Sequence, residues 1–282
     1  YDEFVDDTFG IERSEMHKTE VEVESYADVL FFQADFKNKR KDKGVKKRYA
    51  QLITWDEGDY IDDPEVATKG FELVRSDSSH VTKRVQERVL ELILRESEPK
   101  DSVESYLETE WGRVLDGDVA YEDIGKPSAI NNDLWDYGWS KDDDSGEIKY
   151  FTPQPHIRGA RYAAEYVDGE DPKQGSKPLF LYLDGIDANA GLPETFEYNH
   201  KELTAPSDDK PQNYRRIKEL GREVDAIAVE DVRNLPDAAN VDWEKLANKN
   251  IRNPVEPITW TMDWDFDDLV EGGSQSGLAD FM

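Results

Sequence analysis

The chain has 282 residues, enough for one large domain or two modest ones with real cores. It holds 64 acidic against 35 basic side chains, a net charge of −29, and no cysteine, which excludes disulfides and thiolate metal sites. No run approaches the roughly 18 apolar residues that a membrane helix needs, so no membrane partner is expected, and the expected location is cytoplasmic.

Residues 18–55 read as strands. "EVEVESY" (20–26) alternates Val with Glu, the period of a half-buried strand. "VLFFQA" (29–34) comes next, and "RYAQLITW" (48–55) is the return strand. Between them lies "KNKRKDKGVKKRYA" (37–50), which carries eight cations and one acid, Asp42. Acidic "DEGDYIDDPE" (56–65) is expected to separate this meander from the helices after it.

"HVTKRVQERVLELIL" (80–94) sets Val81, Val85, Val89, Leu92 and Ile93 on one helical face, with Asp77 or Ser78 as its cap. "DSVESYLETEWGRVLDG" (101–117) reads as a second helix, opened by Asp101 and Glu104 and stopped by Gly117. "QPHIRGARYAAEY" (154–166) is a third, with Pro155 in its first turn. "KPLFLYLDGI" (177–186) is a strand with "VDAIAVEDV" (224–232) as its partner, and "DWEKLANKNI" (242–251) is a last short helix. From Pro254 onward there is no Lys or Arg. Gly272-Gly273 before "QSGLADFM" (275–282) suggests a flexible tether carrying a peptide motif. The fold class expected is α+β.

The acidity is spread along the chain rather than gathered in one stretch. That favours a solvated surface suited to very high salt over an acidic tail or a nucleic-acid mimic. At about 1 M salt the Debye length is about 3 Å, so such a chain still approaches a polyanion that it would repel in dilute buffer. The basic island then has two readings: a solvated loop that offsets nearby acid, or a polyanion grip. In the second, Lys46, Lys47 and Arg48 neutralise phosphates and Tyr49 adds an aromatic face and a hydroxyl. A nuclear-localisation signal fits poorly inside a meander.

"KKRYAQL" (46–52), preceded by the "VEVES" strand and "VLFF", resembles the end of the palm domain of archaeal family B DNA polymerases. "KGFELVRSDSSHVTKRVQERVLELIL" (69–94) is similar to the start of that family's thumb. "IGKP" (124–127), "PQPHIRGARYA" (153–163) and "GSKPLFLYL" (175–183) come next in the family's order, and the acidity fits a haloarchaeal member. "QSGLADFM" resembles the clamp-binding peptide Gln-x-x-aliphatic-x-x-aromatic-aromatic. The resemblance implies antiparallel palm strands in 1–68, a mostly helical thumb with a small β element in 69–253, and an acidic, flexible clamp-binding tail in 254–282.

It also implies roles. Lys46, Lys47, Arg48 and Tyr49 would hold primer–template DNA. Arg75 and Lys126 would make thumb contacts, with His156 and Arg158 as weaker candidates; a helix-start residue satisfied by backbone is the competing reading of His156. Gln275, Leu278, Phe281 and Met282 would dock on the sliding clamp. The chain departs from the family where "RSDS" (75–78) replaces Arg-Arg-Asp-Trp, removing one thumb cation and one packing aromatic.

Polymerisation needs two Mg²⁺ ions held by palm aspartates. The family's Asp-x-x-Ser-Leu-Tyr and Tyr-x-Asp-Thr-Asp motifs do not occur here. The resemblance therefore implies a C-terminal polymerase portion with no catalytic residue of its own, partnered by a catalytic N-terminal portion that carries the Mg²⁺. Glu22 and Glu24 are weak metal candidates and equally the solvent face of a strand. The alternatives are a stand-alone, non-enzymatic DNA-binding or clamp-associated protein, and an acidic interaction protein with no DNA role.

Overall fold

A computed structural model describes residues 25–56, 59–142, 145, 148–196 and 222–271. Glu22, Glu24 and the peptide from Gln275 to Met282 lie outside the described residues. The first element is an antiparallel meander of β1 (Ser25–Asp35), β2 (Arg40–Asp56) and β3 (Asp59–Lys69), in that spatial order. The connection between β1 and β2 is only 36–39, so most of the basic island is strand rather than loop. The stretch 56–65, expected to separate the meander from the helices, instead supplies most of β3. Tyr49 pairs with Lys69, Gln51 with Ala67 and Ile53 with Glu65. β3 borders the sheet, where charged side chains are tolerated because they face water, so acidity disguises the strand in the sequence.

One face of this sheet is covered by α1 (His80–Arg95). All five residues of its expected apolar stripe are buried: Val81, Val85, Val89, Leu92 and Ile93. Its cap is Ser79, whose side chain accepts from the Thr82 N–H, and not Asp77 or Ser78. α2 (Lys100–Leu115) returns alongside with Val103, Leu107 and Val114 buried. Pro99 occupies its cap position without a side-chain cap hydrogen bond, so the expected Asp101 capping box is not formed.

After a short α3 (Tyr121–Ile124), β4 (Lys126–Pro127) pairs with β7 (Leu179–Ile186), which also pairs with β10 (Ala226–Val229) and β11 (Ala239–Val241). The expected pairing of the 177–186 and 224–232 segments is therefore present, antiparallel, with Ile227 opposite Leu181. Two small ribbons flank this sheet, β5 (Trp139–Lys141) with β6 (Ile148–Tyr150) and β8 (Thr195–Phe196) with β9 (Arg222–Glu223). α4 (Pro155–Tyr166) lies on β10. Gly159 makes that approach possible, since a Cβ there would stand 2.6 Å from the Ile227 carbonyl carbon.

The chain does not become a tail at Pro254. α5 (Trp243–Ala247) runs through a π-helical turn at Asn248–Arg252 into α6 (Asn253–Thr261), followed by α7 (Phe266–Val270). Val255, Ile258, Phe266 and Leu269 are buried in the same hydrophobic cluster as Phe31 of β1, Val85 of α1 and Leu181 of β7. That cluster crosses both expected boundaries, 68/69 and 253/254. Two prolines, Pro254 and Pro257, and the lack of any cation hid a helical segment whose apolar residues reach the core. Antiparallel strands with helices make the α+β class plain.

Candidate nucleic-acid interface

The basic island divides into two structures. At its tip, Lys39 Nζ lies 3.5 Å from the centre of the Phe36 ring, and Lys41 Nζ lies 4.4 Å from that of Trp260. Lys41 also donates to the Trp260 carbonyl and pairs with Asp263, while Arg40 pairs with Asp42 at 2.9 Å. The Thr261 hydroxyl accepts the Ala34 N–H at 3.1 Å. The tip is thus an exposed turn, as its composition suggests, but one fastened to the end of α6.

Further along β2 the register breaks. Phe32 pairs with Tyr49, but Ala34 pairs with Gly44, so Val45 to Arg48 bulge opposite the single residue Gln33. Lys47 adopts a φ of 63°, the left-handed region that side chains seldom occupy. The bulge sorts its cations. Lys46 and Lys47 are exposed, and neither has an ion pair among the described residues. Arg48 turns the other way: it pairs with Glu72, donates to Gln33 Oε1 at 3.2 Å and lies over the Phe71 ring. Tyr49 is half-buried and tilts against Phe32 with ring centres 6.0 Å apart. Of the four residues expected to meet phosphate, Lys46 and Lys47 are open to it, Tyr49 shares their strand, and the Arg48 guanidinium is engaged within the fold.

Arg48 leads directly to the second group. Its partner Glu72 also accepts from Gln86 Nε2 at 2.8 Å, and buried Gln86 accepts the Leu73 N–H at 2.9 Å. This fixes the segment that carries Arg75. Arg75 holds Asp77 through two hydrogen bonds of 2.9 and 2.8 Å, and Lys126 Nζ stands 4.0 Å from the same carboxylate. The Arg75 guanidinium lowers the Asp77 pKa, so Asp77 stays ionised and gathers both cations. Nothing in the sequence singles out Lys177, whose Nζ donates to the Ser76 carbonyl at 2.8 Å. Only the pairing of β4 with β7, Lys126 opposite Phe180, brings these distant cations together.

His156 begins α4 and is edge-on to Phe180, with ring centres 6.5 Å apart. Burial lowers its pKa, and the charges of Lys126 and Arg158 lower it further, so the ring is neutral near pH 7. Arg158 is buried. It pairs with Asp225 and donates to the Pro153 carbonyl at 2.6 Å, which ties α4 to the segment before β10. The structure thus gives Arg158 an internal bracing position rather than an outward one.

Among the described residues no group of three or more His, Asp or Glu side chains is arranged to hold a metal ion, and no helix is long and apolar enough to cross a membrane. The outward face of the meander carries Leu30 and Phe32, 53% and 59% exposed. Against models of known protein families the chain matches none, and a search of curated proteins finds no match.

Proposed function

We propose that this chain is the palm-to-thumb portion of a family B DNA polymerase, gripping primer–template duplex while a separate or preceding portion performs nucleotide transfer. The observation that carries the reading is the disposition of cations. In a chain of charge −29, Lys46 and Lys47 stand exposed on a bulge, without an ion pair among the described residues. The Arg48–Glu72 pair links that bulge to the segment where Arg75, Lys126 and Lys177 converge. Cations placed this way suit the regularly spaced phosphates of a duplex, and Tyr49 offers a hydroxyl beside them.

The exposed Leu30 and Phe32 support the same reading. An apolar sheet face of this kind is covered in a complete enzyme, and the catalytic portion of the palm is the cover this reading supplies. Mg²⁺ belongs to that portion. The peptide from Gln275 to Met282 would tether the assembly to a sliding clamp, raising local concentration rather than gripping tightly alone.

The test is duplex binding measured across several salt concentrations for the chain and for the double variant Lys46→Gln/Lys47→Gln. Each lost phosphate contact flattens the slope of log K against log salt by about 0.9, so the double variant loses about two units. An unchanged slope rejects the DNA reading in favour of an acidic interaction protein. The chain alone is expected not to extend a primer with Mg²⁺; extension by the purified chain would overturn its assignment as a non-catalytic portion.

A further inference from the structure

Where α1 begins, the molecule holds a cleft of about 250 Å³. Ser78, Ser79, Thr82 and Asn250 line it and are buried, whereas Lys126, Lys249 and Asn253 line its more open side. The buried end is rigidly built. Ser79 donates to Asn250 Oδ1 at 2.7 Å, Thr82 donates to the Asn250 carbonyl at 2.8 Å, and Asn250 Nδ2 donates to the Leu246 carbonyl at 3.0 Å.

Three features give the cleft its preference. It opens at the N-terminal end of a 16-residue helix, where the macrodipole favours an anion. Lys249 has no ion pair among the described residues, and Lys126 has only the 4.0 Å approach to Asp77. Ser78 is only 7% exposed, yet its hydroxyl has no hydrogen-bond partner among the described residues. The hydroxyl is reached from the cleft, where water or a ligand can complete its hydrogen bonding. Glu72 also lines the cleft, but Arg48 and Gln86 already hold its carboxylate. The volume admits a phosphate group with bridging water, since a water occupies about 30 Å³.

We propose that this cleft seats a phosphate of the DNA backbone, with Lys126 and Lys249 neutralising it and Ser78 donating a hydrogen bond from below. The site deepens the duplex-gripping reading and rests on it. Asn253 and Lys249 come from the α5–α6 junction, just before the segment that composition assigned to the tail.

The experiment compares the salt dependence of duplex binding in the chain, Lys249→Gln, Ser78→Trp and Lys46→Gln/Lys47→Gln, with circular dichroism to check folding. Lys249→Gln and the cleft-filling Ser78→Trp are each expected to flatten the slope by about one unit. If both keep the full slope while the Lys46/Lys47 variant loses its two units, the cleft assignment falls and the DNA reading stands. If no variant changes the slope, both fall. Should Ser78→Trp fail to fold, Lys249→Gln decides. In a second arm, inorganic phosphate is titrated by ³¹P NMR with and without duplex. Phosphate binding that Lys249→Gln abolishes and duplex displaces supports the assignment. Phosphate binding that duplex never displaces identifies a free-anion site and overturns it.

Discussion

Lys39 and Lys41 at the hairpin tip carry the same charge as Lys46 and Lys47 on the bulge, yet their surroundings are opposite. The tip cations lie on the Phe36 and Trp260 rings and reach Asp263, joining β2 to the end of α6. The bulge cations pair with no acid among the described residues, whereas Arg48, just beyond the left-handed Lys47, pairs with Glu72. Charge density along a sequence therefore measures supply, not availability. Backbone register decides which cations remain free for an outside partner.

The sharpest way to break this contrast is at Gly70. Its φ is +79°, and a Cβ there would stand 1.9 Å from the Lys47 carbonyl oxygen. Gly70→Ala must therefore displace the bulge or its own backbone, at a cost of about 3 kcal/mol. Chemical denaturation should show that loss, and duplex binding at matched folded fraction should weaken with it. A neutral substitution would mean that the bulge is not held from β3.

Arg48→Met comes next. It leaves the Glu72 side chain partly buried with Gln86 as its remaining side-chain partner, and costs about 1–2 kcal/mol by denaturant unfolding. Its effect on the salt slope should be small beside that of Lys46→Gln/Lys47→Gln. An equal effect would place Arg48 on the DNA and erase the distinction between inward and outward cations. Lys41→Ala is the mildest, about 0.5–1 kcal/mol, because the side chain is partly exposed and its ion pair is screened by salt. That loss should shrink further in concentrated salt and leave the duplex slope unchanged; a flattened slope would return the tip to the binding surface.

Helix α1 was legible in the sequence because its five apolar residues repeat at helical spacing, a purely local pattern. The pairing of the 177–186 and 224–232 segments was legible for a similar reason: both are short apolar runs. β3 and α6 were not. The edge strand keeps an acidic composition and α6 carries two prolines, so only their partners across the sheet and in the core reveal them. The candidate contacts divide the same way. Lys46 and Lys47 could be picked from the sequence, whereas Lys177, Lys249 and the serine-lined cleft could not, since they gather at one place only when β4 meets β7 and α5 returns to α1.

By itself the sequence determined a strongly acidic composition, the α+β class, the main helices and the presence of one basic island. Tertiary structure decided which of that island's cations are free. The reason is physical: composition fixes how many charges a segment holds, but an ion pair forms between groups brought within about 4 Å, and that proximity is set by register, bulge and packing across residues far apart in the chain. Asp263 lies far beyond Lys41 in sequence and beside it in space, while Lys46, closer to many acids along the chain, pairs with none among the described residues.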